Sequence, residues 1–304
     1  MIDKRFVYKF KNFVRALVRL DTDQTYGEDS LDLEAALQHR SIDSISGILG
    51  WLLSLGKSEF ESLSLKGCKA LEIGSGKFFI NALLLYVCGC SEVISIDKYK
   101  QLLPNAMKLA ISKPVLARRF LSMHISHDEF MKRMGELSRT GYSLEGMENL
   151  GIYYRAPFDI LSSKDFNNKF GFVFSYTVLE HVSTIIEIKA LLKKTVDALK
   201  PGGFCIHFVD LEDHSDSVLN PFEFLSKDTV WSEKQSFSRG NRLRFATWKN
   251  IFSHYKDMDW RFPYAPVRYD VDLPAIDVSV EYQDEQDIRT SAFVVVGRKI
   301  KQTL

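Results

Sequence analysis

The sequence predicts an α/β protein in which a mostly parallel sheet is covered by helices on both faces. Short apolar runs of strand length alternate with amphipathic helical runs from about residue 68 onward. A glycine-rich bend, "LEIGSGKFF" (Leu71–Phe79), directly follows the first such run. A last apolar run, "SAFVVVGR" (Ser291–Arg298), reads as a closing strand. The chain has 304 residues, 45% hydrophobic and 26% charged, which suits one large domain with insertions better than two equal domains. We expect an N-terminal helical extension over 1–60 and a main domain over 61–304, with insertions at 98–150 and 211–257.

The elements follow in order. On a helix, Phe6, Val7, Phe10, Phe13, Val14, Leu17 and Val18 form one stripe, and Lys4, Arg5, Lys9, Lys11, Arg15 and Arg19 fill the opposite face. Such a helix suits docking on a core. Over residues 4–19 it equally suits peripheral contact with an anionic membrane at the inner face. Residues 31–56 read as two more helices. Cys68 to Ile73 is strand-like, Lys77 to Val87 helical, and Glu92 to Ile96 a strand. Residues 100–138 are helical with breaks, one at Pro114. Ile152 to Arg155 and Phe172 to Ser175 are strands, followed by a helix from about Ser183 to Leu199. "KPGG" (Lys200–Gly203) reads as a turn. Phe204 to Val209 is a strand, and a helix spans about Ala246 to Tyr255. The two insertions are candidate carriers of substrate specificity, although the first also suits a helical cover.

Composition excludes some classes. A net charge of +1 supplies no global field for nucleic acid or an acidic partner. Cys68, Cys88, Cys90 and Cys205 lie in apolar surroundings with no C-x-x-C pair, which predicts reduced core residues of a cytoplasmic protein. The apolar stretches near Ile48–Leu55 and Ile80–Cys90 fall short of the roughly 20 residues a membrane span needs. No secretory signal pattern follows the N-terminus.

The bend decides between cofactors. A dinucleotide site uses G-x-G-x-x-G, whose third glycine allows tight helix–strand packing. Counted from Gly74, that place holds Phe79, which argues against a nicotinamide or flavin. No G-x-x-x-x-G-K-[ST] loop occurs. Glu72 precedes the bend, and Gly74 and Gly76 let backbone approach a ligand. Asp97 ends the second strand, where a carboxylate can accept from ribose hydroxyls. Asp159, in "YRAPFDIL", stands where an acid can accept from an adenine amino group. "FVFSYTVLEHV" (Phe172–Val182) and "LKPGGFCIHFVD" (Leu199–Asp210) complete the series.

In these five marks and their order, the chain resembles the class I S-adenosylmethionine-dependent methyltransferases. "IHFVDLEDHSD", with "FEFL" and "NRLRF" downstream, is similar to a bacterial subgroup that modifies small molecules or saccharides. The resemblance implies a Rossmann-like, seven-stranded, mostly parallel sheet whose last strand is antiparallel. It implies S-adenosyl-L-methionine as cofactor. Glu72, Gly74, Ser75 and Gly76 would face its methionine part, Asp97 and Lys98 its ribose, and Asp159 and Ile160 its adenine. Ser175 and Tyr176 would line the site near the sulfonium. Two departures stand out: Phe78 replaces a third loop glycine, and Phe170-Gly171-Phe172-Val173 replaces Phe-Asp-x-Val.

Methylation of a hydroxyl gains from positioning and from a general base near the strand ends. Candidates are His181, His207, Asp210 and His214. His181 also suits a structural role beside Glu180, and His207 suits a buried core position. Glu180, His181, His207, Asp210, Asp213 and His214 hold metal-compatible chemistry. No tight ligand spacing joins them, so no metal is expected. Arg242 and Arg244 form a candidate anion clamp, and Trp231 a candidate sugar-stacking surface. The expected activity is O-methylation of a small-molecule or saccharide-like acceptor. The alternatives are a nucleotide-sugar oxidoreductase or epimerase, and an inactive methyltransferase-like module with a membrane or partner role.

Overall fold

The computed structural model describes residues 41–301 apart from 112, 113, 115, 164, 165 and 230. The basic helix expected over 4–19 and the first part of the 31–56 segment lie outside the described residues. The remainder of that segment is one helix, α1 (Ile42–Glu59), capped by the Ser41 hydroxyl accepting from Ser44 N–H.

Seven strands form one sheet: β1 (Lys69–Ile73), β2 (Glu92–Ile96), β3 (Ile152–Arg155), β4 (Phe170–Tyr176), β5 (Leu199–Asp210), β6 (Met258–Tyr264) and β7 (Ala292–Lys299). Their spatial order is β3-β2-β1-β4-β5-β7-β6. The first five are mutually parallel, and β7 runs antiparallel to both β5 and β6. This is the Rossmann-like arrangement that the sequence predicts. Strand order reverses beside β1, whose neighbours are β2 and β4, and the crevice at that point is where open α/β sheets bind ligands.

Alternating side chains of the central strands build two cores. Phe172, Phe174 and Ile206 point to one face, under α1, α2 (Ile80–Val87) and the helices between β2 and β3. Those helices are α3 (Pro104–Ile111), α4 (Ala117–Leu121), α5 (His127–Arg139) and α6 (Leu144–Glu148). The insertion at 98–150 is thus largely a helical cover, through Met107, Ile111, Leu121 and Phe130. Asp43 of α1 ties it down by accepting from Leu116 and Ala117 N–H at 2.8 and 2.7 Å. Val173, Cys205 and Val295 point to the other face, under α7 (Ile185–Ala198) and α9 (Phe245–Ser253), with Trp248 and Phe252 buried among them. Thr184 and Glu187 form a reciprocal cap at the start of α7. Two short helices complete the chain, α8 (Glu233–Arg239) and α10 (Glu285–Arg289). The four cysteines are free thiols, three of them buried. No described helix is long and apolar enough to cross a membrane.

Several boundaries differ from expectation for local reasons. α2 begins at Ile80 rather than Lys77, because Gly76 and Phe79 both take left-handed φ values, 61° and 56°. "KPGG" lies within β5: Leu199 pairs with Phe170 and Phe204 with Phe172, so the residues between bulge out of the ladder. A bulge is where a sheet tolerates Pro201. β6 has no counterpart in the sequence reading. Pro263 interrupts its strand pattern, yet β6 forms the sheet edge, where proline costs no ladder bond.

Candidate functional site

The bend after β1 is held from two sides. Gly74 N–H donates to Ile96 O at 2.8 Å, fixing the bend to the end of β2. Gly74 has φ 82°, and a Cβ there would lie 2.4 Å from Val178 Cγ2, so the bend also packs on the segment after β4. A Cβ on Gly76 would meet nothing within 4 Å: the backbone there borders open space. The phenyl ring of Phe79 does not fill that space. It is fully buried, edge-on to Tyr154 at 5.4 Å.

Asp97 organises this end of the site. Its Oδ2 accepts from Gly76 N–H at 3.0 Å, Ser75 Oγ at 3.3 Å and Gln101 Nε2 at 3.0 Å, and its Oδ1 accepts from Tyr99 N–H at 2.9 Å. Its carbonyl accepts from Phe158 N–H at 2.8 Å, which draws the loop after β3 alongside. On that loop Asp159 is exposed, its Oδ1 accepting from Leu161 N–H at 2.9 Å, while Ile160 is buried. Lys98 is exposed, its Nζ 5.9 Å from the Tyr99 ring centroid. Glu72 is fully buried beneath the bend. Ser95 donates to its Oε2, and Asn81 and the Ala82 N–H lie close to the carboxyl without giving Oε1 a hydrogen bond of ordinary geometry. Burial raises its carboxyl to about 7 against the favourable Ser95 bond.

These features fit an adenosyl cofactor with an amino-acid tail. The Asp97 carboxylate at the β2 tip could accept from ribose hydroxyls. An open backbone cradle lies at Gly76, and the buried Glu72 carboxyl below it could face an ammonium. Ser75 and Gln101 would exchange their Asp97 bonds for ligand contacts.

The tips of β4 and β5 carry the second half. Thr177 has φ 52°, which a β-branched residue takes only under strain, and its N–H donates to Phe208 O at 3.0 Å. Tyr176 stacks on Phe208 with centroids 5.1 Å apart. Next comes the short 3₁₀ turn Leu179–His181, which places Glu180 and His181. Glu180 is fully buried. Burial and the Asp210 charge raise its carboxyl well above the ordinary range. The His181 and His214 rings meet edge to face at 4.8 Å, and His214 Nε2 lies 4.0 Å from Glu180 Oε1. His181 Nδ1 bonds Phe237 O at 2.7 Å. Burial and the neighbouring His214 lower its imidazole to about 4. Asp210 is half-buried at the end of β5, its Oδ1 accepting from Glu212 N–H at 3.1 Å. A pair of exposed rings links the two halves: Tyr99, two residues past Asp97, packs edge to face on Phe237 of α8 at 5.5 Å.

Other expected site residues lie elsewhere. Ser175 and His207 are fully buried, Oγ to Nδ1 at 2.7 Å, with the His207 ring 6.2 Å from Phe252. Burial alone lowers His207 to about 3, as for a neutral core histidine packed beside Phe252. Arg244 is fully buried and donates to the carbonyls of Leu211, Ile288 and Thr290. Arg242 donates to Phe224 O and Ser226 O and lies 4.8 Å over the Trp231 ring, which packs on the small core around Phe224. These guanidinium groups tie loops together and do not form an open anion clamp. Asp213 is held by Arg239. Gln101, Thr177, Tyr99, Phe237 and Asn241 join the site without a motif of their own in the sequence. Only the strand-end positions of Tyr99 and Thr177 gave a signal.

No protein-family model and no curated protein sequence matches the chain. Among solved structures it is similar to an S-adenosylmethionine-dependent methyltransferase from Mesorhizobium loti, at 13% identity over 86% of this chain and 100% of that one, with a TM-score of 0.44. It is also similar to the N-methyltransferase NodS from Bradyrhizobium japonicum, at 14% identity over 83% and 93% of the two chains, with a TM-score of 0.40. A third is the CurJ carbon methyltransferase, at 14% identity over 98% and 70%, with a TM-score of 0.45. At these identities the likeness is one of fold alone.

Proposed function

We propose that this chain is an S-adenosylmethionine-dependent methyltransferase that methylates oxygen on a small or saccharide-like acceptor. The observation that carries this reading is Asp97 at the β2 tip, bonded to the Gly76 N–H of the bend at the switch point of the sheet. When bound, the cofactor supplies an electrophilic methyl group on sulfur. Asp97 would hold the ribose, the loop of Asp159 and Ile160 the adenine, and Glu72 with the Gly74–Gly76 backbone the amino-acid tail. Asp210, half-buried at the β5 tip, is the group best suited to take the acceptor's proton. His181 and His214 would line the same side. The exposed Tyr99–Phe237 pair suits the apolar face of a sugar ring or another flat molecule at the mouth.

Calorimetry with S-adenosylhomocysteine tests this. One equivalent should bind, and Asp97→Ala should weaken binding by about 10- to 100-fold, from loss of charge-assisted hydrogen bonds. Binding unchanged in Asp97→Ala, or a response to NADH in its place, would refute the assignment.

A further inference from the structure

We infer that Glu180, His181 and His214 form a binding site for one divalent transition-metal ion of the zinc class. The inference goes beyond the methyl-transfer reading and stands independently of it. One ligand atom from each of the three lies within 4.8 Å of the others. Ligands in a tetrahedral shell at the usual bond lengths sit roughly 3.4 Å apart, so closure asks for movements of about 1 Å at side-chain ends.

Glu180 is the decisive residue. It is fully buried, and neither carboxylate oxygen accepts a hydrogen bond of ordinary geometry. The nearby main-chain N–H groups of Glu180 and Asp210 favour its charge but do not outweigh burial and the Asp210 carboxylate. The closest imidazole nitrogen, at 4.0 Å, is too far for a hydrogen bond. A buried carboxylate in this state is costly, and a cation between it and the two imidazoles removes the cost.

The surroundings are those of a metal site. His181 Nδ1 meets the Phe237 carbonyl, so Nδ1 carries the proton and Nε2 keeps its lone pair. A carbonyl behind a ligating histidine is the usual orienting partner. Asn241 fixes the Glu180 turn: its N–H donates to Glu180 O at 2.6 Å, and its Nδ2 donates to Leu179 O and Val182 O. Gly240, at φ 90°, lets the end of α8 close over the cluster, a Cβ there lying 3.9 Å from Glu180 Cβ and His214 Nε2. Two imidazoles and one carboxylate suit zinc, cobalt, nickel or iron(II), whereas magnesium and calcium take mainly oxygen ligands. Three protein ligands leave a coordination position, as in catalytic rather than structural zinc sites. Asp210 then remains as the proton acceptor.

Cobalt(II) chloride titrated into the tag-free full chain tests this through ligand-field absorption, with zinc content after dialysis as a second readout. One ion per chain is expected. Glu180→Gln and His214→Asn should each weaken cobalt binding by at least about 100-fold, exceeding the 10- to 100-fold typical of losing an outer-shell partner. His254→Asn, at a histidine on the far end of α9, should leave it unchanged. Absence of a cobalt spectrum in the wild type, or a spectrum unaltered in His214→Asn, would overturn the inference. His214 is 16% exposed, so that variant decides the matter even if Glu180→Gln does not fold. S-adenosylhomocysteine binding in the same samples reads the cofactor site separately.

Discussion

At the scale of single residues, two buried titratable groups make opposite predictions. Glu72 has its carboxyl raised from 4.5 to about 7, chiefly by burial. The unfolded chain therefore loses this proton first, and stability falls as pH rises from 4.5 to about 7. Glu72→Gln removes that slope. Thermal melts should show the variant more stable than wild type above pH 7 by about 3 kcal/mol, with little difference near pH 4. His207 is lowered from 6.5 to about 3 by burial. Its contribution is complete above pH 6.5 and is lost as pH falls toward 3. His207→Gln should flatten the acid limb, which this one group steepens by up to about 5 kcal/mol. If His207→Gln instead left stability unchanged and abolished methyl transfer, the core assignment of this histidine would be wrong. Both histidine roles were open in the sequence, since alternation on a strand does not say which face is the cleft. The Ser175 partner on the neighbouring strand decides it.

At the scale of elements, the bend after β1 and the turn after β4 are one unit. Gly74 leaves no room for a Cβ against Val178. Gly74→Ala should destabilise by about 1–3 kcal/mol, read as a lower urea midpoint, and Val178→Ala in the same chain should restore part of it. Purely additive losses would mean the two segments do not press on each other. The bend, Asp97 and the parallel strands were legible because each has a short-range signature: glycine spacing, an acid closing an apolar run, and a helix stop. β6 was not, because its pattern is broken by Pro263 and its pairing with β7 is non-local. The Arg242–Arg244 pair misled for a related reason. Their spacing is local, whereas the carbonyls of Ile288 and Thr290 that Arg244 serves arrive from much later in the chain.

At the scale of the whole molecule, the sheet order places the Asp97 bend on one side of the switch point and the Glu180–His214 cluster on the other. The insertion at 98–150 covers one core. The insertion at 211–257 contributes His214, Phe237 and Asn241, and the start of the first contributes Tyr99 beside Phe237, so substrate choice should follow changes in the second and at Tyr99 rather than in the covering helices of the first. Phe237→Ala should raise KM for the acceptor several-fold while leaving S-adenosylhomocysteine affinity within about 2-fold, the size expected for one lost ring contact. The cluster itself could not be read from spacing, because 32 residues of chain separate His181 from His214 and only the return of the loop after β5 brings them together.

The most direct measurement is a crystal structure of the chain with S-adenosylhomocysteine. The account predicts the adenosyl group across the tips of β1 and β2, ribose hydroxyls on Asp97, the amino-acid tail by Glu72, and sulfur facing Asp210. A ligand bound elsewhere, with Ser75 and Gln101 still on the Asp97 carboxylate, would contradict it.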